Sequence, residues 1–155
     1  MLSSDAVREA VDEYGDVLYR TCFLILRHNA DAEDVVQETY ITYMKKAPSF
    51  SDSEHEKAWL ITVATNKCRD MLRYRKRHIT EPESALDNIV QSSENSHILE
   101  ALMSLPDKFR IVLTLHYIDG YKVDEIAEMI GKSASAVKMR LQKGRKLLEE
   151  EYRKE

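Results

Sequence analysis

Two runs of basic residues concentrate the chemistry of this 155-residue chain. Lys67, Arg69, Arg73, Arg75, Lys76 and Arg77 stand within residues 67–77 against one acid, Asp70. Lys132, Lys138, Arg140, Lys143, Arg145 and Lys146 stand within residues 132–146 with no acid among them. Ammonium and guanidinium groups grouped this way displace the counterions condensed on a phosphate backbone, so each run is a candidate nucleic-acid contact. The net charge of −4 points the other way when taken as a sum. Salt confines the reach of an exposed charge to ~8–10 Å, however, so the local patch decides. Acids dominate elsewhere: residues 1–38 carry nine acids against three bases, and residues 79–94 carry four acids and no base.

Other chemistries find no constellation. Cys22 and Cys68 sit in no CxxC motif and read as buried small hydrophobes. His28, His55, His78, His97 and His116 are scattered, with no pair at the i, i+4 spacing of a helical metal site. There is no glycine-rich phosphate loop and no nucleophile elbow. The expectation is a protein that is not an enzyme, with no catalytic residue, metal, cofactor or small-molecule substrate. No apolar run approaches the ~20 residues that cross a bilayer. The start, Met1-Leu2-Ser3-Ser4-Asp5, has no basic, apolar leader, so a cytoplasmic location is expected.

The elements that must carry these patches are helical. Glycine (4) and proline (3) are scarce, and no alternating β-branched runs recur. The spacing predicts an all-α chain of four helical stretches, a linker and four more. Residues 1–78 form the first domain, 79–94 the linker and 95–155 the second domain. Two stretches are expected between Ser4 and Arg27, with Tyr14, Val17, Leu18, Cys22 and Ile25 inward. A third runs from about Ala30 to Lys46, its apolar stripe Ala32, Val36, Tyr40 and Tyr43. Its opposite stripe is Asp34, Glu38, Ile41 and Lys45, with Gln37 beside it. Pro48 ends this helix, and a polar loop around Phe50 follows. The fourth stretch spans about Glu56 to Arg77. Leu60, Ile61, Ala64, Cys68, Met71 and Leu72 form its apolar arc, opposite Thr62, Asn66, Arg69, Arg73 and Lys76. Ordinary surface helices interleave acids and bases at i, i+4, and this face does not.

In the linker, Pro82 interrupts a polar stretch and a short helical turn is expected near Leu86–Val90. The second domain opens with Ile98, Leu99, Leu102 and Leu105 on one helix. Pro106 starts the next, which Phe109, Val112, Leu113 and His116 carry to Asp119-Gly120. From Lys122 the spacing is that of a helix-turn-helix: Ala127, Gly131 four residues later, and Val137 six after that. Gly131 supplies the positive φ of the turn and Ser133 caps the second helix. Val137, Leu141 and Leu148 then face inward. Ser135, Lys138, Met139, Gln142, Lys143 and Lys146 face outward, as a helix that reads DNA requires.

Taken in order, these strings resemble the sigma-70 family of bacterial sigma factors, in its extracytoplasmic-function group. The resemblance rests on Asp31-Ala32-Glu33-Asp34-Val35-Val36-Gln37-Glu38-Thr39-Tyr40 and on Ala58-Trp59-Leu60-Ile61-Thr62-Val63-Ala64-Thr65-Asn66-Lys67-Cys68-Arg69-Asp70. In the second half it rests on Leu105-Pro106, Tyr117-Ile118-Asp119-Gly120-Tyr121, Glu125-Ile126-Ala127-Glu128 and Val137-Lys138-Met139-Arg140-Leu141. It implies a sigma-2 helical bundle and a sigma-4 helix-turn-helix bundle that confer promoter specificity on RNA polymerase and assist promoter opening. The implied partners are RNA polymerase core, through its clamp coiled coil and flap, promoter DNA and an anti-sigma factor, which can hold such proteins at the membrane. Asp31, Asp34, Gln37, Glu38 and Ile41 would contact core. Phe50, Ser51 and Asp52 would hold a flipped base of the −10 element, with Asn66, Arg69 and Arg73 on its strand. Ser133, Ser135, Lys138, Met139, Arg140 and Lys143 would take the −35 element. Trp59 sits at the edge of the apolar arc and is read as a packing residue. Lys138 and Lys143 stand where arginine is frequent and lack its planar bidentate contact to guanine. Ser135-Ala136 likewise replaces a common Gly-Thr.

Two other classes fit parts of the sequence. A stand-alone helix-turn-helix regulator with a helical dimerisation half would bind duplex DNA tightly by itself. An adaptor that binds only protein would have no use for two acid-poor basic faces.

Overall fold

The computed structural model describes residues 2–78 and 96–154, in two compact helical units. The linker expected at 79–94 and its turn near Leu86–Val90 lie outside the described residues, as does Asn95. In the first unit, α1 spans Ser4–Leu26, α2 Asn29–Lys46 and α3 Ser53–Arg77. In the second, α4 spans Ser96–Met103, α5 Asp107–Leu113, α6 Val123–Ile130 and α7 Ala134–Arg153, with a π-helical turn at Thr114–Ile118 after α5. No strand occurs among the described residues.

The first unit is a bundle in which each helix packs on the other two. Its first helix corrects an expectation: Ser4–Leu26 is one helix, not two. Ala10, Tyr14, Leu18, Cys22 and Ile25 recur at three- and four-residue intervals and are all buried, so a single stripe runs through Gly15. Gly15 does not break the helix, and the hydroxyl of Tyr40 lies 3.7 Å from where its Cβ would stand. The helix ends at Arg27, which takes the left-handed conformation at φ +57° and donates its N–H to the Phe23 carbonyl. Every residue from Thr21 to Leu26 is buried in this bundle of α1 with α2 and α3. On α2 the fully buried valine is Val35, while Val36 is only half-buried. Helix α3 begins at Ser53 rather than near Glu56, because the Asp52 carboxylate accepts the His55 N–H at 2.8 Å and caps it.

The second unit packs α5 and α6 against α7. Leu105, Phe109, Val112, Leu113, Leu115, Ile126, Ile130, Val137 and Leu141 form its core. Pro106 is the residue before α5, and the Asp119 N–H closes the π turn on the Thr114 carbonyl. Gly120 follows at φ +81°, which ends the element. Glu125 reaches back to the Lys122 N–H at 2.8 Å and fixes the start of α6. Gly131 ends α6 at φ +66°, and Ser133 Oγ accepts the Ala136 N–H at 3.1 Å to start α7. These are the turn and cap that the helix-turn-helix spacing predicts.

Candidate nucleic-acid and protein interfaces

On α2 the inward stripe of Ala32, Val35, Thr39, Tyr40 and Tyr43 leaves Asp34, Gln37, Glu38 and Ile41 on the outside, all exposed. Ile41 is 47% exposed, an apolar side chain on the same stripe as Asp34 and Glu38. Asp31 behaves differently. Its carboxylate accepts from the Arg75 guanidinium at 2.6 Å, and Arg75 also donates to the Leu26 carbonyl. Asp31 therefore ties the first turn of α2 to the last turn of α3, whereas the other four residues are displayed.

The loop before α3 is built around rings. Phe50 packs 6.4 Å from Tyr43, 5.9 Å from Trp59 and 5.2 Å from His55, centroid to centroid. Trp59 packs in turn 6.1 Å from Tyr43, which fits its packing role. The Ser51 N–H donates to His55 Nδ1 at 3.2 Å, and Asp52 caps the helix. Below this cluster Glu56 receives two phenols, Tyr43 at 2.5 Å and Tyr14 at 3.0 Å. Burial, and after it the hydrogen bond to Glu56, pushes both tyrosines well above the ordinary phenol range. Ser51 and Asp52 are exposed and Phe50 is half-buried, so a base entering here would meet the edge of an ordered cluster.

On α3, Asn66 and Arg69 form a pair: Arg69 Nη1 donates to Asn66 Oδ1 at 2.9 Å, and Asn66 Nδ2 donates to the Thr62 carbonyl at 3.0 Å. Arg73 is exposed and paired with Asp70. The three residues are brought to one helix face, joined to a loop that Tyr43 of α2 backs. No group of three or more His, Cys, Asp or Glu among the described residues could hold a metal ion. No helix among them is long and apolar enough to cross a membrane.

In the second unit, Ser135, Lys138, Met139 and Lys143 are exposed on the first half of α7, Met139 by 69%. Arg140 is half-buried, and Ser133 is occupied as the helix cap. Beside them lies an open groove of about 700 Å³ lined by Lys108, Phe109, Met139, Arg140, Gln142 and Lys143. The ammonium groups of Lys108 and Lys143 stand 5.2 and 5.7 Å from the Phe109 ring centre, so two cations lie against one ring. Lys108 was not among the expected residues. The signal was a lysine next to a core phenylalanine one turn after Pro106, which only the packing of α5 on α7 makes meaningful. A second groove, about 550 Å³ and mainly apolar, lies at the other end of α7. Ile98, Leu102, Leu113, Tyr117, Leu148 and Tyr152 line it, with Arg145 and Glu149 among its polar residues. Arg145 donates to the Tyr117 hydroxyl at 3.1 Å. In the core of this unit Arg110 is fully buried, donating to the Leu105 carbonyl at 2.5 Å and to Asp107 at 2.7 Å.

Against known proteins, residues 10–78 match Sigma-70 region 2 and residues 97–148 match Sigma-70 region 4. The chain is 29% identical to the extracytoplasmic-function sigma factor SigW of Bacillus subtilis over 96% of its own length and 90% of SigW. It is 30% identical to SigM of Mycobacterium tuberculosis over 83% of its length and 67% of SigM. Among solved structures, the sigma factor RpoE in complex with the anti-sigma factor NepR from Bartonella quintana shares its fold. The TM-score is 0.80 at 23% identity, covering 97% of this chain and 98% of that one. CnrH, solved with the cytosolic domain of CnrY, gives 0.69 at 24% identity over 95% and 87%. With both sigma-70 regions matched in order along two helical units, the chain belongs to the sigma-70 family of RNA polymerase sigma factors, in its extracytoplasmic-function group.

Proposed function

We propose that the chain directs RNA polymerase core to promoters through three surfaces, none of them catalytic. The observation that carries this reading is that each unit turns a base-rich face toward solvent. The first unit presents exposed Arg73 with half-buried Asn66 and Arg69, and the second exposed Lys138, Met139 and Lys143. Residues 1–78 act as the sigma-2 domain and 95–155 as sigma-4, joined by 79–94.

The stripe of Asp34, Gln37, Glu38 and Ile41 docks on the clamp coiled coil of core. Ile41 supplies the apolar centre and the acids a complementary rim. Asp31 holds the helix in place through Arg75. Opening consumes no ATP: bases that leave the stack are captured and the open strand is held. Phe50, Ser51 and Asp52 border the capture site, and Asn66, Arg69 and Arg73 meet the strand and its phosphates. The Asn66–Arg69 hydrogen bond sets both groups before DNA arrives, which lowers the ordering cost of binding. On α7, Lys138, Met139 and Lys143 enter the major groove of the −35 element with Ser135 at its edge. Lysines contact phosphates or guanine edges and Met139 offers an apolar contact to a thymine methyl. Arg140, with the groove formed with Lys108, suits phosphates, and Ser133 acts through the cap. The apolar groove at the far end of α7 suits a helix of the polymerase flap. The chain works in the cytoplasm and is held inactive by an anti-sigma factor.

Reconstitution tests the reading. The full chain is mixed with bacterial core polymerase and genomic DNA fragments, and transcript starts are mapped. New starts sharing a −10/−35 pair are expected, and they should vanish with Asn66→Ala plus Arg69→Ala. Core that neither binds the chain nor gains starts, while the chain alone protects duplex DNA, would overturn it in favour of a stand-alone regulator.

A further inference from the structure

The C-terminal end of α3 carries an arrangement that the surfaces above do not use. Tyr74 is 52% exposed, and its ring lies flat on that of His78, with centroids 4.0 Å apart and planes 13° from parallel. The pair is held from below. His78 Nδ1 is 3.0 Å from the Tyr74 carbonyl, and the His78 N–H donates to the Arg75 carbonyl at 3.1 Å, so His78 also closes the helix. With Nδ1–H turned to that carbonyl, the imidazole plane is fixed and one face of the tyrosine is covered. About half of the Tyr74 surface remains exposed to a partner.

The surroundings say what that partner is. Arg73, Lys76 and Arg77 are exposed on the turns beside the stack. At 100° per residue Arg73 and Arg77 point within about 20° of Asn66, and Tyr74 about 80° round from it. The two-ring surface therefore sits beside the basic face at its C-terminal turn. An aromatic plane bordered by guanidinium groups is the arrangement that binds single-stranded nucleic acid: cations track the phosphates and bases stack on the ring. An acidic protein surface would be drawn to the same arginines but would gain nothing from a flat ring. We propose that the Tyr74–His78 stack is a base-stacking platform for single-stranded DNA, extending the strand-binding face of α3 by one further turn. This rests on reading α3 as the strand-facing helix.

The test uses the full chain, without polymerase, and a fluorescein-labelled mixed-sequence single-stranded DNA of about 16 nucleotides, a length within the usual site sizes. Anisotropy gives the affinity across a salt series. Tyr74→Ala is expected to weaken binding roughly 5- to 150-fold, the range for loss of one stacked base. The slope of log affinity against log salt should stay unchanged, since no phosphate contact is lost. Arg77→Gln should instead lower that slope by about 0.7. In a Trp59→Phe background, Tyr74→Trp should bind as the parent does, and its indole emission should be quenched by the oligonucleotide. Three results would each overturn the proposal: wild type that fails to bind the oligonucleotide, Tyr74→Ala that binds as wild type, or equal losses on the matching duplex. Unquenched indole emission from the Tyr74→Trp variant would do so even if the alanine variant misfolds. Failure of core to gain transcript starts would sink the promoter reading and leave this result standing.

Discussion

Removing the Glu56 carboxylate should loosen the whole front of the first unit. Glu56 accepts from Tyr43 at 2.5 Å and from Tyr14 at 3.0 Å, which pins the first turn of α3 to α2 and α1. A hydrogen bond to a charged group contributes about 1.5–3 kcal/mol. Tyr14 keeps a second acceptor, the Ser53 carbonyl at 3.2 Å, so its loss falls at the low end. Tyr43 has Glu56 as its sole hydrogen-bond partner among the described residues and is left buried with a bare hydroxyl. Glu56→Ala should therefore cost about 3 kcal/mol, against a total of about 4–12 kcal/mol for a unit of this size. Glu56→Gln keeps one carbonyl acceptor and should cost about half as much. The assay is built in: Trp59 is the chain's only tryptophan, and it packs on Tyr43 and Phe50. Its emission in a urea titration reports this unit, and with a slope of about 1 kcal/mol/M the alanine midpoint should fall by about 3 M. A change below about 0.5 kcal/mol, within the noise of a surface substitution, would refute the claim that the carboxylate ties the three helices together.

The same network makes an alkaline prediction. Tyr14 and Tyr43 are raised above the ordinary phenol range by burial and then by Glu56, and burial pushes Tyr40 up to about 12. A raised folded-state pKa stabilises fully below the unfolded value near 10 and is lost as pH climbs beyond it. Each tyrosine should thus cost about 1.4 kcal/mol per pH unit above pH 10, read as urea midpoints that stay level from pH 8 to 10 and fall beyond it. Arg110→Ala should cost the second unit about 3–5 kcal/mol, seen in thermal melts by circular dichroism, because Asp107 loses a partner and a filled volume empties. Gly131→Ala should cost about 1 kcal/mol through its φ of +66° alone, since an added Cβ meets nothing within 4 Å. Gly144→Val should cost at least about 2 kcal/mol, because the Cβ already meets buried Leu113 at 3.1 Å. The two are compared in the same melts.

Local chemistry is what the sequence exposes best. The turn at Gly131 and the cap at Ser133 depend on residues within one or two turns, so spacing alone locates them. The stripe from Asp34 to Ile41 is equally local. Contacts across distance stayed hidden. Asp31 reads as one more acid of the stripe until Arg75, 44 residues on, arrives beside it. Glu56 looks like an ordinary first-turn acid, and its two phenols come from two other helices. Arg110 counts as a surface base in any composition and is fully buried. The break expected within Ser4–Arg27 failed for a related reason. The outer face of that stretch is acidic, but the buried stripe beneath is continuous, and tertiary packing outweighs local propensity. The position of Phe50 follows from Tyr43 and Trp59, whose facing is a property of the bundle rather than of the loop.

Helix α7 has the properties of a ruler. Its first half displays Lys138 and Met139, and its last turns wall the apolar groove at Leu148 and Tyr152. From residue 138 to 152 an α-helix advances about 21 Å and just under four turns, with no freedom in either. Whatever occupies the groove is therefore fixed in distance and rotation from whatever Lys138 and Met139 touch. Inserting or deleting one residue between them would swing one partner by about 100° around the other.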